Sequence, residues 1–121
     1  MTDETALPRD SRSLHHSVDP DPALLAAATS VFAMLAEPTR LHIVSLLADG
    51  ETDVSSLTEA TGASRTAVSQ HLAKLRFTGL VDTRKEGRRV IYRIRDGHLR
   101  RLIAEALNFA DHQVTGEPTH S

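Results

Sequence analysis

Residues 54–95 read VSSLTEATGASRTAVSQHLAKLRFTGLVDTRKEGRRVIYRIR, and this stretch decides the fold. Val54 and Leu57 give one apolar side to a short helix over 54–60, closed by Thr61-Gly62. Ser64 is placed to cap a second helix that runs to Thr78, with Gly79 as its stop. In that helix Val68, Leu72 and Leu75 fall at i, i+4 and i+7 and bury one side, which leaves Arg65, Thr66, Ser69, Gln70 and Lys74 on the other. Helix, Gly-containing turn and capped helix make a helix-turn-helix, whose second helix is the one that enters a major groove. Leu80-Val81 then begins a strand, and Val90, Tyr92 and Ile94 alternate with Ile91, Arg93 and Arg95 in the strand that returns. The turn between them centres on Gly87 and carries Arg84, Lys85, Arg88 and Arg89, a wing with a basic tip.

Upstream, Asp21-Pro22 is a helix start, and Leu24, Leu25, Ala28, Val31, Phe32 and Leu35 repeat at helical spacing over 22–36. Pro38 opens another helix, with Leu41, Ile43, Val44, Leu46 and Leu47, which Asp49-Gly50 ends. Downstream, Leu99, Leu102, Ile103, Ala106, Leu107 and Ala110 define a last helix over 97–113. The expected architecture is mainly α with a small β-hairpin, a winged helix-turn-helix over residues 22–113. A flexible N-terminal arm, 1–21, holds His15-His16, and a flexible C-terminal tail, 114–121, holds His120.

The 121 residues suffice for one domain, and with three Phe, one Tyr and no Trp the core must be aliphatic. The absence of cysteine excludes disulfides, thiolate nucleophiles and every thiolate metal site, so a metal would be held by nitrogen and oxygen. Apolar runs such as Ala23–Ala28 and Val31–Ala36 are far shorter than the roughly 18–20 residues of a membrane span, and the acidic start lacks a signal peptide's basic residues, so a soluble cytoplasmic protein with no membrane partner is expected. No Gly-rich phosphate loop and no nucleophile-base-orienter set are present, which argues against an enzyme. The net charge of −2 hides an uneven distribution: residues 1–60 carry three basic side chains against ten acidic, whereas 61–95 carry nine against two. Positive charge concentrated on the helix-turn-helix and wing is what phosphate neutralisation requires, and double-stranded DNA is the expected partner.

Met34-Leu35-Ala36-Glu37-Pro38-Thr39-Arg40-Leu41, Ser69-Gln70-His71-Leu72-Ala73-Lys74-Leu75-Arg76, Gly79-Leu80-Val81 and Gly87-Arg88-Arg89-Val90-Ile91-Tyr92 together resemble the ArsR/SmtB family of winged-helix, metal-responsive transcriptional regulators over about residues 23–113. The resemblance implies a homodimer built on the first and last helices, reading two half-sites of an operator. It also implies a metal on the last helix, where Asp96 and His98 begin a pattern that His112 continues. The family's zinc pattern has a further His where this chain has Phe109, and the sequence instead looks like the nickel/cobalt-sensing branch, matched by Asp111-His112 and His120. The ligand types, imidazole and carboxylate, suit Ni(II) or Co(II) and also admit Zn(II).

His98 and His112 are 14 residues apart, about 21 Å along a helix and about 40° apart around it, so one ion cannot meet both in one chain. If two such helices run antiparallel across a dimer axis, Asp96 and His98 of one meet His112 of the other. Asp111 falls about 140° from the His98 face and joins only if the helix frays there. Asp96 has a second reading as the cap of the last helix. His71 is either packed in the turn or facing DNA, His42 reads as structural, and His15 and His16 remain candidate ligands. The competing function is a metal-independent winged-helix dimer controlled by a protein co-regulator.

Overall fold

The computed structural model describes residues 19–116. The chain divides into two compact units between Ala33 and Met34. The first unit's described part is residues 19–33, which include most of α1, Pro22–Leu35. Asp21 caps it, its Oδ1 accepting from the Leu24 N–H at 2.8 Å. Leu24, Leu25 and Phe32 are exposed along it.

The second unit follows the order expected of a winged helix: α2 (Pro38–Asp49), α3 (Val54–Thr61), α4 (Arg65–Phe77), β1 (Asp82–Glu86), β2 (Arg89–Arg93) and α5 (Gly97–Thr115). Helix starts carry side-chain caps: Glu37 accepts from Arg40 N, Asp53 from Ser56 N, Ser64 from Ala67 N and Asp96 from His98 N and Leu99 N. A cap is worth about 1 kcal/mol, whereas burying each large aliphatic side chain is worth about 1.5–3 kcal/mol. Packing therefore holds the helices, and caps set where they begin. The core gathers Ile43, Val44 and Leu47 of α2, Leu57 of α3, Val68, Leu72 and Leu75 of α4, with Val81, Ile91, Ile94 and Ile103 closing it. α2 is the central element, touching α3, α4, α5 and β2. No charged or polar residue among the described ones is buried.

The hairpin pairs Asp82 with Arg93 at its base and Glu86 with Arg89 at its tip, leaving Gly87-Arg88 as a two-residue loop. Gly87 has φ +65°, the positive value such tight hairpin turns demand. Thr52, before α3, extends the hairpin by a backbone bridge to Tyr92, with N···O distances of 3.1 and 2.7 Å.

Three local expectations are corrected. Pairing starts at Asp82 instead of Leu80, because the Leu80 and Val81 N–H groups turn back to the Leu75 carbonyl (3.0 and 3.4 Å) and complete the end of α4. That cap needs Gly79 in the left-handed region, φ +85°. The returning strand ends at Arg93, so Ile94 and Arg95 lie beyond it: within β2 Ile91 is buried and Val90 and Tyr92 are half-buried, and Ile94 is buried just past the strand's end. α5 continues to Thr115, where the Gly116 N–H donates to the His112 carbonyl at 2.8 Å, so Val114 and Thr115 belong to the helix and not to the tail. Residues 1–18 of the expected arm and 117–121 of the expected tail, with His15, His16 and His120, lie outside the described residues. No single helix among the described residues is long and apolar enough to cross a membrane.

Candidate nucleic-acid interface and metal ligands

The buried stripe of α4 fixes its rotation. Val68, Leu72 and Leu75 are completely buried, and this turns Arg65, Thr66, Ser69, Gln70 and Lys74 into solvent. Arg65, Thr66, Ser69, Gln70 and Ala73 line one open groove along the helix. With no acidic residue in the first turn, the N-terminal end of α4 keeps the positive dipole that favours phosphate. Arg65 is steadied by α3, its Nη1 donating to Ser55 Oγ at 3.0 Å. His71 resolves to packing: it is half-buried, with Nε2 3.6 Å from Glu37 Oε1 and Nδ1 3.4 Å from Arg40 Nη1, a strut between α4 and the start of α2. His42, read as structural, has an exposed side chain.

The four basic residues of the wing are not equivalent. Arg84 pairs with Glu51 at 2.9 Å and Glu86 at 3.2 Å, and Arg89 pairs with Asp53 at 3.0 Å and Glu86 at 3.1 Å. Lys85 and Arg88 are exposed, and no ion pair engages them among the described residues. Counting charge along the sequence missed this, because Glu51 and Asp53 belong to the acidic first half and reach the wing only through the Thr52 bridge. The one available signal was Asp53 as a helix cap. Bonds from Ser56 and the Arg89 guanidinium hold the Asp53 carboxyl below its ordinary range.

At the wing's base Asp82 binds Arg93 and Arg95, each at 2.9 Å, and these guanidiniums, Arg95 first, likewise lower its carboxyl's pKa. A carboxylate with a depressed folded-state pKa stabilises above the unfolded value of about 3.9 and loses that contribution as pH falls through the folded value. Asp82→Asn should therefore lower stability at neutral pH, and the gap to wild type should close as pH falls below about 4. Urea unfolding across pH checks this; a gap of constant size down to strongly acid conditions would contradict it.

On α5 the Asp96 carboxylate is the N-cap, accepting both bonds on Oδ1, which depresses its pKa and leaves Oδ2 for another partner. His98 is exposed, and its Nδ1 meets Arg101 Nη2 at 2.8 Å, leaving Nε2. His112 lies half-buried near the other end of the same unbroken 19-residue helix. One carboxylate oxygen and imidazole nitrogens suit a nitrogen-oxygen metal shell. A single chain brings too few together: among the described residues no group of three or more ligating side chains forms. Asp111 does not gain access by fraying, because the helix persists four residues beyond it.

The model of the bacterial regulatory protein family named for arsR matches residues 37–83, the helix-turn-helix and the start of the wing. Over 104 residues the chain is 41% identical to the HTH-type transcriptional regulator KmtR of Mycobacterium tuberculosis, covering 84% of this chain and 80% of that one. The chain belongs to the ArsR family. Another relative, the regulator NmtR of the same organism, is 37% identical over 79% of this chain and 80% of its own length. Among solved structures, the homodimeric winged helix-turn-helix DNA-binding domain of a possible ArsR-family regulator from Mycobacterium bovis superposes with a TM-score of 0.72 at 38% identity, covering 85% of this chain and 95% of that one. HlyU from Vibrio cholerae superposes at 0.68 with 32% identity, over 80% of this chain and all of the other. This ArsR-family chain is therefore a transcriptional regulator with a DNA-binding winged helix, and not an enzyme.

Proposed function

We propose that the chain is a cytoplasmic, homodimeric repressor that reads a two-fold operator with α4 and the wing, and whose DNA affinity responds to Ni(II) or Co(II) held between the last helices of the two protomers. The observation that carries the DNA reading is the exposed Arg65, Thr66, Ser69 and Gln70 face over a completely buried stripe, beside a wing tip with Lys85 and Arg88 unengaged. Short polar side chains and an arginine at a helix start suit base edges and adjoining phosphates. Lys74, Lys85 and Arg88 suit phosphates, with Arg84 and Arg89 at the flank of the wing. The dimer reading is supported by apolar side chains that the single chain leaves exposed, Leu24, Leu25 and Phe32 on α1 and Leu107, Phe109 and Val114 on α5, and by the homodimeric relative.

The metal reading takes Asp96 and His98 from one protomer and His112 from the other, with His120 as a further ligand from the tail. When bound, the ion would supply a nitrogen-oxygen coordination link, which suits Ni(II) or Co(II) and also admits Zn(II). α5 and α4 share the core through α2, a physical route by which a change at one end of the dimer helix reaches the reading helix. The test is operator binding, on DNA upstream of the chain's own gene, with and without each metal. A several-fold change with Ni(II) or Co(II) is expected, and no change with any of the three would remove the metal from the function.

A second reading, a metal-independent dimer set by a protein co-regulator, draws on the engagement of Asp96 by its cap and of His98 by Arg101, and on Phe77, 92% exposed at the end of α4. Calorimetric titration with nickel separates the two, since the second predicts no stoichiometric binding.

A further inference from the structure

Arg65, Arg88 and Arg89 line one cleft of about 280 Å³ between the wing and the helix-turn-helix, together with Asp53, Ser55 and Tyr92. Of these three guanidiniums only Arg89 meets carboxylates: Asp53 inside the cleft at 3.0 Å and Glu86, at the wing tip, at 3.1 Å. Asp53 divides its oxygens, Oδ1 accepting from the Ser56 N–H at 2.9 Å and Oδ2 from Arg89 Nε at 3.0 Å, while among the described residues Arg65 bonds only the neutral Ser55 hydroxyl and Arg88 has no ion pair. The excess positive charge calls for one more anion, and guanidinium groups take a phosphate oxygen pair well. We propose that this cleft seats one backbone phosphodiester of the duplex, and that Asp53 is its built-in competitor, holding Arg89 until the phosphate replaces it.

The inference rests on the wing reaching DNA. It goes beyond that reading in giving Asp53, an acidic residue, control over how strongly and how salt-dependently the protein binds. When Arg89 leaves a carboxylate for a phosphate, the new contact is offset by an exposed Asp53 that attracts a cation, so the exchange releases almost no net counterion. Without the Asp53 charge the same contact releases about one.

The test compares salt-dependent affinities for operator and random duplexes, by fluorescence anisotropy, in wild type, Asp53→Asn, Arg89→Gln, the double variant and Arg88→Gln. Asn caps a helix as well as Asp does, and Asp53→Ser, another good cap, must behave alike; thermal melting of each variant checks the fold. In Asp53→Asn the slope of log affinity on log salt should steepen by about 0.9. Affinity at fixed salt should rise by up to about fivefold, the worth of one exposed ion pair. In the Arg89→Gln background neither change should appear. An unchanged slope in Asp53→Asn and Asp53→Ser, weaker binding with normal melting, or a steepening that persists without Arg89 would each overturn the proposal. Arg88→Gln should flatten the slope; if it does not, the wing reading falls and this inference with it, whereas a flattened slope with no Asp53 effect sinks the competitor alone. Inorganic phosphate titrated into the DNA-free protein, followed by the Arg88 and Arg89 amide resonances, is the last arm. No saturation beyond a chloride control is expected, and saturable binding would overturn the assignment to the duplex.

Discussion

Alanine at Arg65, Ser69 or Gln70 is expected to weaken operator binding by about 1–3 kcal/mol each, and the triple variant is expected to fall to the affinity shown for random DNA. The three side chains project from the solvent face of α4 while Val68, Leu72 and Leu75 anchor the opposite face, so their removal leaves the core untouched. Arg65→Ala alone gives up a protein contact, the bond to Ser55, an exposed hydrogen bond worth about 1 kcal/mol or less. Its melting temperature should therefore shift slightly where the other two do not. Lys74→Ala should behave differently, weakening operator and random duplex alike and reducing the salt slope, because a phosphate contact positions without reading sequence. Anisotropy on both duplexes, with sedimentation to confirm the assembly state, measures all of these. Operator affinity unchanged in all three single variants would exclude α4 as the reading helix.

The helices were legible because each carries two independent local signals. α4 has a capping serine and a stripe at i, i+4, i+7; α3 has the apolar pair Val54 and Leu57 and the Thr61-Gly62 stop; α2 has Pro38 at its start and Asp49-Gly50 at its end. Both signals are local, and local sequence sets them. What failed at the margins depended on competition for backbone groups: Leu80 and Val81 have strand-like side chains, yet their N–H groups are taken by the Leu75 carbonyl. The candidate interface was half legible. Its exposed α4 residues follow from periodicity, but the state of the wing arginines does not, because Arg84 meets Glu51 across 33 positions and Arg89 meets Asp53 across 36. Only the fold creates such pairs, and they divide a basic cluster that looks uniform in sequence into two engaged arginines and two unengaged cations. His71 is the same lesson for a single residue, since the strut it forms with Glu37 and Arg40 joins helices 31 positions apart. The ArsR resemblance drawn from four short motifs was borne out by similarity over 84% of the chain, yet among the described residues the ligands it implies stand at positions where one protomer does not complete a shell.

The largest effect expected at the proposed metal site follows from that incompleteness. His98→Ala and His112→Ala should each abolish tight Ni(II) or Co(II) binding, and mixing the two variants should restore part of it. α5 is unbroken from Gly97 to Thr115, so the two imidazoles are held about 21 Å apart along one rigid element and no fraying brings them together. A shared site must draw them from different protomers. A heterodimer of the two variants then places both defects at one of its symmetric sites and leaves the other whole. Random exchange makes about half the dimers mixed, so about a quarter of the original sites should return. Arg101→Ala should tighten binding modestly, because the ion no longer competes with a guanidinium for the His98 ring. His120→Ala should weaken it less than His98→Ala, since a ligand from the tail must be ordered before it contributes. Differently tagged chains establish that subunits exchange, and calorimetry then counts sites. With exchange demonstrated, no recovery in the mixture rules out a site shared between protomers, and wild-type affinity in both single variants removes α5 from metal binding altogether.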